Sequence, residues 1–250
     1  LKMQPVLEKE RPAVLVVQGD TTTVLAAAIA ANYAKVPVAH VEAGLRTGDN
    51  QQPFPEEMNR RMCDSIADLL FPPTEWAKAN LLKEGIAEER IVVTGNTVID
   101  ALLQIAERVR PLPAPPGVPD ELASDMSHWT GSGRKIILVT SHRRENFGEG
   151  IRNVALALKG LAEDNRDIEV VYPVHLNPQV QKPIYELLSG CKRVHLIPPL
   201  GYDSFIWLMD RCHFVMTDSG GIQEEAPSLG KPVLANGKCE VLRGQCIRSR

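Results

Sequence analysis

Short apolar runs rich in β-branched residues alternate along the chain with longer stretches in which apolar residues recur at helical spacing. In the first half, this pattern predicts strands at 13–17, 36–41 and 90–93 and helices at 21–35, 55–70, 75–84 and 97–110. In the second half, it predicts strands at 135–140, 168–174, 194–197, 214–217 and 232–234 and helices at 150–163, 178–189, 203–211 and 222–228. Apolar strands that lack clear alternation are typical of parallel sheets covered on both faces by helices.

A proline-rich segment at residues 111–119 separates the two halves. Proline lacks the backbone N–H and clashes with the preceding turn, so this segment cannot sustain a helix and is predicted to be a linker. The α/β pattern then predicts two Rossmann-like domains with parallel sheets, at 1–110 and 120–234, followed by an atypical tail at 235–250. Ligands of such folds bind beyond the carboxyl ends of the strands, and we expect the site in a cleft between the domains.

Composition excludes several classes of function. A formal net charge of −3 argues against a nucleic-acid-binding protein that relies on a basic surface. The five cysteines form no C-x-x-C pair, so we expect reduced thiols and no metal site. No apolar run approaches the roughly 20 residues that span a bilayer, and the first residues show no signal-peptide pattern. These features predict a cytoplasmic protein without a membrane partner.

Carboxylates follow the predicted strands of the first half. Asp20 comes directly after the first strand, Glu42 ends the second, and Glu56 and Glu57 begin the next helix. Neighbouring carboxylates can act as acid and base at one reaction centre, because repulsion and burial separate their pKa values. The alternative is that Asp20 is a helix N-cap and that Glu56 and Glu57 only favour a helix N-terminus. Glu42 precedes a glycine turn, where no cap is needed.

Two segments of the second half suit a nucleoside diphosphate. His142 and Arg143 follow a strand; arginine binds phosphate oxygens in a bidentate manner, and histidine can supply charge or a proton to a leaving group. Residues 217–226 place two glycines at a strand-to-helix turn, where backbone N–H groups can approach a phosphate. The alternative for residues 140–146 is a solvated charged loop. No G-x-G-x-x-G follows a strand and no P-loop exists, so neither NAD nor another cofactor is expected.

Seven segments together resemble the bacterial non-hydrolysing UDP-N-acetylglucosamine (UDP-GlcNAc) 2-epimerases, in the order 18–23, 40–49, 55–60, 94–100, 142–146, 172–178 and 217–233. The resemblance implies a GT-B-like pair of Rossmann domains, the second of which binds UDP, and a homodimer. It also implies interconversion of UDP-GlcNAc and UDP-ManNAc without a redox cofactor, for cell-surface polysaccharide synthesis. The implied route removes the C2 proton, expels UDP to give 2-acetamidoglucal, and adds UDP back after protonation of the opposite face.

The resemblance also implies roles for single residues. Asp20, Glu42 and Glu56 match the acidic catalytic positions, and His142 matches the histidine that stabilises departing UDP. The implied nucleotide contacts are Ser219, Gly220 and Gly221 for the phosphates, Glu225 for the ribose, and Phe205 with Leu200 for the uracil.

The sequence departs from the family pattern at both ends. Roughly the first two βα units of the N-terminal domain are missing, and Leu242 stands where the family has an arginine in its final segment. We therefore expect this chain to have little epimerase activity by itself. Three alternatives stay open: a GT-B-type glycosyltransferase, a hydrolysing epimerase that releases free ManNAc, and a UDP-sugar-binding protein without catalysis.

Overall fold

A computed structural model describes residues 2–143 and 146–235, which fall into two compact units divided between Thr97 and Val98. The predicted tail from residue 236 onwards, including Leu242, lies outside the described residues, as do Arg144 and Glu145.

The first unit is built around a three-stranded parallel sheet with the order β1-β2-β3. Its elements are α1 (Gln4–Glu10), β1 (Leu15–Gln18), α2 (Thr22–Tyr33), β2 (Val38–Val41), α3 (Glu56–Ile66), β3 (Leu69–Phe71), α4 (Glu75–Lys83) and a 3-10 helix at Glu88–Arg90. The alanine-rich α2 buries Ala28 and Ala31 completely, so that it packs closely against α3. Because alanine side chains are small, the backbones of the two helices can approach each other closely.

The second unit contains a five-stranded parallel sheet with the order β6-β5-β4-β7-β8. Its elements are α5 (Thr97–Val109), α6 (Asp120–Gly131), β4 (Lys135–Thr140), α7 (Glu149–Asp164), β5 (Ile168–Pro173), α8 (Pro178–Leu188), β6 (Val194–Ile197), α9 (Tyr202–Arg211), β7 (Phe214–Thr217), α10 (Gly220–Ser228) and β8 (Val233–Ala235). The predicted α/β class with two Rossmann-like parallel sheets is confirmed.

Both faces of this second sheet are buried. On β4, Ile136 and Leu138 belong to the core formed with α5, α6, α9 and α10, whereas Ile137 and Val139 belong to the core formed with α7 and α8. Successive side chains of a strand point to opposite faces, so a strand buried on both faces needs a continuous apolar run. This is why the apolar runs of the sequence carried no alternation.

The structure overturns two of the predicted elements. The predicted helix 55–70 ends at Ile66, because the Asp68 side chain accepts a hydrogen bond from the Val38 N–H and directs the chain into the sheet as β3. The predicted strand at 90–93 is wrong: Ile91 makes only an isolated parallel bridge to Leu70. Pro72 and Pro73 end β3 after three residues, so β3 is too short to form a longer ladder with residues 90–93.

The division between the units lies at the start of α5, between Thr97 and Val98, rather than at the proline-rich segment 111–119. Leu102, Ala106 and Val109 of α5 are fully buried in the core of the second unit. The proline-rich segment lies against the same unit, where the Leu112 carbonyl accepts a hydrogen bond of 3.0 Å from the Trp207 indole. The prolines break the helix, as expected, but the chain has already entered the second core.

Within the described residues, no helix is both long and apolar enough to cross a membrane.

Candidate active site

The strand order of the second unit predicts where its ligand site lies. The chain leaves β4 towards β5 and β6 on one side, then returns to add β7 and β8 on the other side. In open parallel sheets, the crevice for ligands forms at this reversal, beyond the carboxyl ends of the two central strands. The loop that begins at Ser141 follows β4 and the turn that begins at Asp218 follows β7, so the two predicted nucleotide segments meet at this point.

Asp218 joins these two segments. Its carboxylate is almost fully buried and accepts hydrogen bonds from the Ser141 hydroxyl (2.8 Å), the backbone N–H groups of His142 (2.9 Å) and Arg143 (3.0 Å), and the Asn146 amide (3.0 Å). A carboxylate that accepts several hydrogen bonds forms strong, charge-assisted contacts. The loop after β4 is thereby fixed to the turn after β7.

Two basic side chains lie beside the start of α10. The His142 imidazole is 44% exposed, and its Nδ1 is 3.6 Å from the Asp218 carboxylate. The Arg143 guanidinium lies so close to α10 that a Cβ on Gly220 would be 3.4 Å from its Nη2. The positive end of the helix dipole and these side chains act in the same direction, and both favour an anion.

The turn 219–221 shows which part of the helix N-terminus is open. The Ser219 N–H is already used, because it donates to the Thr217 hydroxyl at 2.9 Å. Gly221 has an ordinary helical φ, and a Cβ there would meet no described atom within 4 Å. The fold itself therefore does not require glycine at Gly221. Its missing side chain leaves the first turn of α10 uncovered.

Glu225 lies one turn further along α10 and is buried. It accepts a hydrogen bond of 2.9 Å from the Tyr202 hydroxyl at the start of α9. Burial raises the pKa of the Glu225 carboxyl, and the Tyr202 bond offsets part of that rise. Leu200 lines a cavity of about 550 Å³ in front of α9, and Phe205 packs on the adjacent core. Through Tyr202, the structure therefore connects Glu225, the predicted ribose ligand, with the segment that contains Leu200 and Phe205, the predicted uracil contacts.

In the first unit, Asp20 lies just after β1 and is held by α3. Its carboxylate forms an ion pair of 2.5 Å with Arg60, and its carbonyl oxygen accepts a hydrogen bond from the Asn59 amide. The helix α2 is capped by Thr21, whose hydroxyl accepts from the Val24 N–H, and not by Asp20. Capping therefore does not explain the Asp20 carboxylate.

Glu42 follows β2, the neighbour of β1 in the sheet. Its carboxylate accepts a hydrogen bond of 2.8 Å from the Gln18 amide, which also donates to the Thr97 hydroxyl. Its backbone φ is +68°, a left-handed conformation that costs a non-glycine residue about 1–2 kcal/mol. Such outliers cluster at functional sites, where the surrounding structure enforces them.

Glu56 and Glu57 begin α3 but differ in their surroundings. Glu57 is fully buried and accepts hydrogen bonds from the N–H groups of Thr47 and Gly48, so it fixes the loop after β2. Glu56 is partly exposed, and within the described part of the chain it has no hydrogen-bond or ion-pair partner. The first residue of the helix thus presents an unengaged carboxylate, whereas the second is structural.

His40, which showed no ligand spacing in the sequence, is also part of this region. It is completely buried on β2, with Nδ1 2.6 Å from the Asp64 carboxylate and Nε2 2.8 Å from the Gly19 carbonyl oxygen. Burial alone disfavours the charged ring. The hydrogen bond to Asp64 outweighs that effect and, with a contact to Cys63, raises the pKa of His40 to about 10.

Metal ligation has no counterpart in this geometry. Across residues 2–143 and 146–235, no group of three or more His, Cys, Asp or Glu side chains is arranged to hold a metal ion.

A protein-family model described as UDP-N-acetylglucosamine 2-epimerase matches residues 1–238 of the chain. The chain belongs to this epimerase family. A probable UDP-N-acetylglucosamine 2-epimerase of Ralstonia nicotianae is 51% identical over 232 residues, which cover 93% of this chain and 61% of that protein. The UDP-N-acetylglucosamine 2-epimerase of Escherichia coli K12 is 50% identical, with the same coverage of the two chains.

Solved structures of epimerases support the same assignment. The crystal structure of the UDP-GlcNAc 2-epimerase from Neisseria meningitidis bound to UDP-GlcNAc has a TM-score of 0.81 and 47% identity, over 94% of this chain and 62% of that chain. The Staphylococcus aureus MnaA–UDP structure has a TM-score of 0.82 and 42% identity, over 94% and 60%. The predicted family and its GT-B-like fold are therefore confirmed. The chain spans about three fifths of the length of these epimerases.

Sequence reasoning missed the residues that hold the predicted epimerase positions in place. Asp218 was noticed only as part of the glycine turn, and Arg60 only within a matched segment. Their partners lie far away in the sequence: 72 to 77 residues for Asp218 and 40 residues for Arg60. The signal available in the sequence was a polar residue next to a buried strand. Such a residue needs a hydrogen-bond partner if its side chain is buried.

Proposed function

We propose that the protein catalyses the reversible epimerisation of UDP-GlcNAc at C2 to give UDP-ManNAc. The observation that carries the proposal is the set of carboxylates in the first unit. Asp20 and Glu42 follow adjacent parallel strands and are held by Arg60 and Gln18, while Glu56 stands unengaged at the start of α3. Transfer of a sugar to an acceptor does not require such a set, whereas removal and return of a carbon-bound proton requires both a base and an acid.

The proposed reaction has two halves. A carboxylate removes the C2 proton, the electrons of that C–H bond form the C1=C2 double bond, and the C1–O bond breaks with its electron pair leaving on UDP. The product of this half is 2-acetamidoglucal. An acid then protonates C2 from the opposite face, and the UDP oxygen forms a new bond to C1. We assign Asp20, Glu42 and Glu56 to these proton transfers.

The second unit is assigned to the nucleotide. The open first turn of α10, with Ser219, Gly220 and Gly221, is proposed to bind the phosphates beside Arg143. His142 would stabilise the charge on UDP as it leaves, since its exposed ring lies beside the same turn. Glu225 is proposed to accept the ribose hydroxyls, in place of or together with its bond from Tyr202, and Leu200 and Phe205 to contact the uracil. The homodimer implied by the resemblance and the cytoplasmic location predicted from the sequence features belong to the same proposal.

The proposal is tested with a protein that spans the full length of these relatives, incubated with UDP-GlcNAc in D₂O without a sugar acceptor, because the present chain by itself is expected to give little exchange. Proton NMR is expected to show UDP-ManNAc and deuterium at C2. Glu42→Gln and His142→Ala should each slow the deuterium incorporation at least 100-fold, whereas Glu89→Gln, at an exposed carboxyl, should not. Free ManNAc as the product would assign hydrolysis. Binding of UDP-GlcNAc without any exchange would assign a binding protein.

A further inference from the structure

The protonation state of His40 follows from its two neighbours. Nε2 faces the Gly19 carbonyl oxygen, which can only accept a hydrogen bond, so Nε2 has to carry a proton. Nδ1 faces Asp64, whose other oxygen accepts from the Gly44 N–H (3.1 Å) and from Arg46 (2.7 Å). The Asp64 carboxylate thus acts as an acceptor towards all its partners, so Nδ1 donates to it and carries a proton as well. His40 is therefore a buried imidazolium.

The charge of this imidazolium is balanced within the first unit. Asp64 is paired with both His40 and Arg46, and Arg46 is paired in turn with Glu84 at the end of α4. Positive and negative side chains thus alternate along these contacts, which continue from Glu84 through Arg61 to Glu57. A buried ion pair contributes little net stability compared with apolar residues of the same shape, so stability alone is a weak reason for this arrangement.

The bond from His40 acts on the turn that carries Asp20. Gly19 has a φ of +82° and its N–H donates to the Val41 carbonyl oxygen, so its backbone connects β1 to β2. The Gly19 carbonyl group belongs to the same peptide unit as the Asp20 N–H. Holding that oxygen fixes the orientation of the peptide plane from which the Asp20 side chain projects. The Glu42 carboxylate also lies close, because a Cβ on Gly19 would be 3.8 Å from its Oε2.

We propose that His40 is a positioning residue, which orients the Gly19–Asp20 peptide through its Nε2–H and thereby aligns the Asp20 and Glu42 carboxylates for proton transfer at C2. Asp64 keeps that donor permanently protonated, and His40 itself exchanges no proton with the substrate. The inference rests on the proposed epimerase function. It also gives the buried pair formed by His40 on β2 and Asp64 on α3 a role in aligning the reactive groups.

Two substitutions at the same position separate this role from a purely structural one. In His40→Gln, the side-chain amide reaches the position of Nε2 and can donate to the Gly19 oxygen. In His40→Asn, the shorter amide reaches only the position of Nδ1 and loses that bond. Both variants lose the charge, so both should lower the melting temperature by similar amounts.

The expected result is an asymmetry in the rate of C2 deuterium exchange. His40→Asn should lower kcat about 100-fold, since a misplacement of roughly 1 Å costs about that factor, with KM almost unchanged. His40→Gln should stay within about fivefold of the unsubstituted protein. Equal losses of kcat in the two variants, or normal exchange in His40→Asn, would overturn the proposal.

If the His40 variants do not fold, a third variant and an NMR spectrum test the positioning role of His40. In Asp64→Asn, the amide oxygen is needed by Gly44 and Arg46, so its NH₂ faces Nδ1 and the neutral ring keeps its proton on Nε2. Exchange should then stay within about fivefold of normal, and its loss in a folded variant would contradict the inference. Nitrogen-15 NMR of labelled histidine should show one imidazolium with both nitrogens protonated at pH 8. A His40 ring without a proton on Nε2 would refute the positioning role even if the unsubstituted protein showed no C2 exchange, an outcome that by itself refutes only the proposed function.

Discussion

Replacing Asp218 by asparagine alters the acceptor that joins the loop after β4 to the turn after β7. The Asp218 carboxylate receives hydrogen bonds from four donors on Ser141, His142, Arg143 and Asn146. Asparagine has nearly the same shape but offers one oxygen and one NH₂ group. The amide oxygen can take the place of Oδ2, but the NH₂ group then replaces Oδ1, which also accepts from the His142 N–H at 3.1 Å, so the charge and this contact are lost.

The cost follows from the loss of the negative charge, because all four bonds end at the same oxygen, Oδ2. A hydrogen bond to a charged group contributes about 1.5–3 kcal/mol and one to a neutral group about 0.5–1.5 kcal/mol, so each of the four bonds should be weakened by about 1 kcal/mol or more. We therefore expect Asp218→Asn to lower the free energy of unfolding of the second unit by about 3–6 kcal/mol.

Urea denaturation followed by circular dichroism measures this loss, and UDP titration measures the expected displacement of His142 and Arg143. Asp167→Asn is the matched control, because that aspartate is exposed at the opposite end of the sheet and, among the residues that the structure describes, forms an ion pair with Lys135 alone. The control should leave the transition midpoint unchanged. A loss below about 1 kcal/mol for Asp218→Asn would show that the buried carboxylate does not hold the two segments together.

Three further substitutions test other parts of the structure. Gly44→Ala should destabilise the first unit by about 2–5 kcal/mol, because φ is +76° and the new Cβ would lie 2.3 Å from the Ala77 carbonyl oxygen. Gly48→Ala, with φ +84° and open space, should cost only about 1–2 kcal/mol, and equal losses in urea denaturation would contradict the steric argument. Glu225→Gln should weaken UDP binding about 10-fold by calorimetry. Because burial raises the pKa of Glu225 in the folded protein, ionisation opposes folding as the pH rises through that pKa. The variant should therefore gain stability over the unsubstituted protein between pH 4 and pH 7, and a relative loss at pH 7 would refute this sign.

The strands of the second unit could be predicted well from the sequence. Lys135–Thr140 and Phe214–Thr217 were predicted with their observed bounds, because a sheet buried on both faces requires continuous apolar runs. The short strand β3 could not be found in this way. Leu69 and Leu70 continue the apolar spacing of α3, and only the bond between Asp68 and Val38, thirty residues apart, places them in a sheet. Tertiary contacts override local pattern at such positions.

The candidate site could be predicted in part for a related reason. Asp20, Glu42, His142 and the turn at Ser219 were found because the carboxyl ends of parallel strands are where ligands bind. The groups that hold them were not found, since a buried polar residue is defined by partners that the local sequence does not show. His40 and Asp218 look unremarkable in the sequence, and each bonds across tens of residues to the backbone that carries a predicted residue.

The central position of β4 and β7 has a consequence for how a ligand enters and leaves. Each of these strands is flanked by a neighbour on both sides, and amide hydrogens in such strands exchange with solvent only in the rarest and largest opening events. The turn at Ser219 directly follows β7 and therefore belongs to the part of the second unit that opens last. Release of a bound anion has to proceed through rotation of side chains such as Arg143, and not through fraying of the strands beneath it.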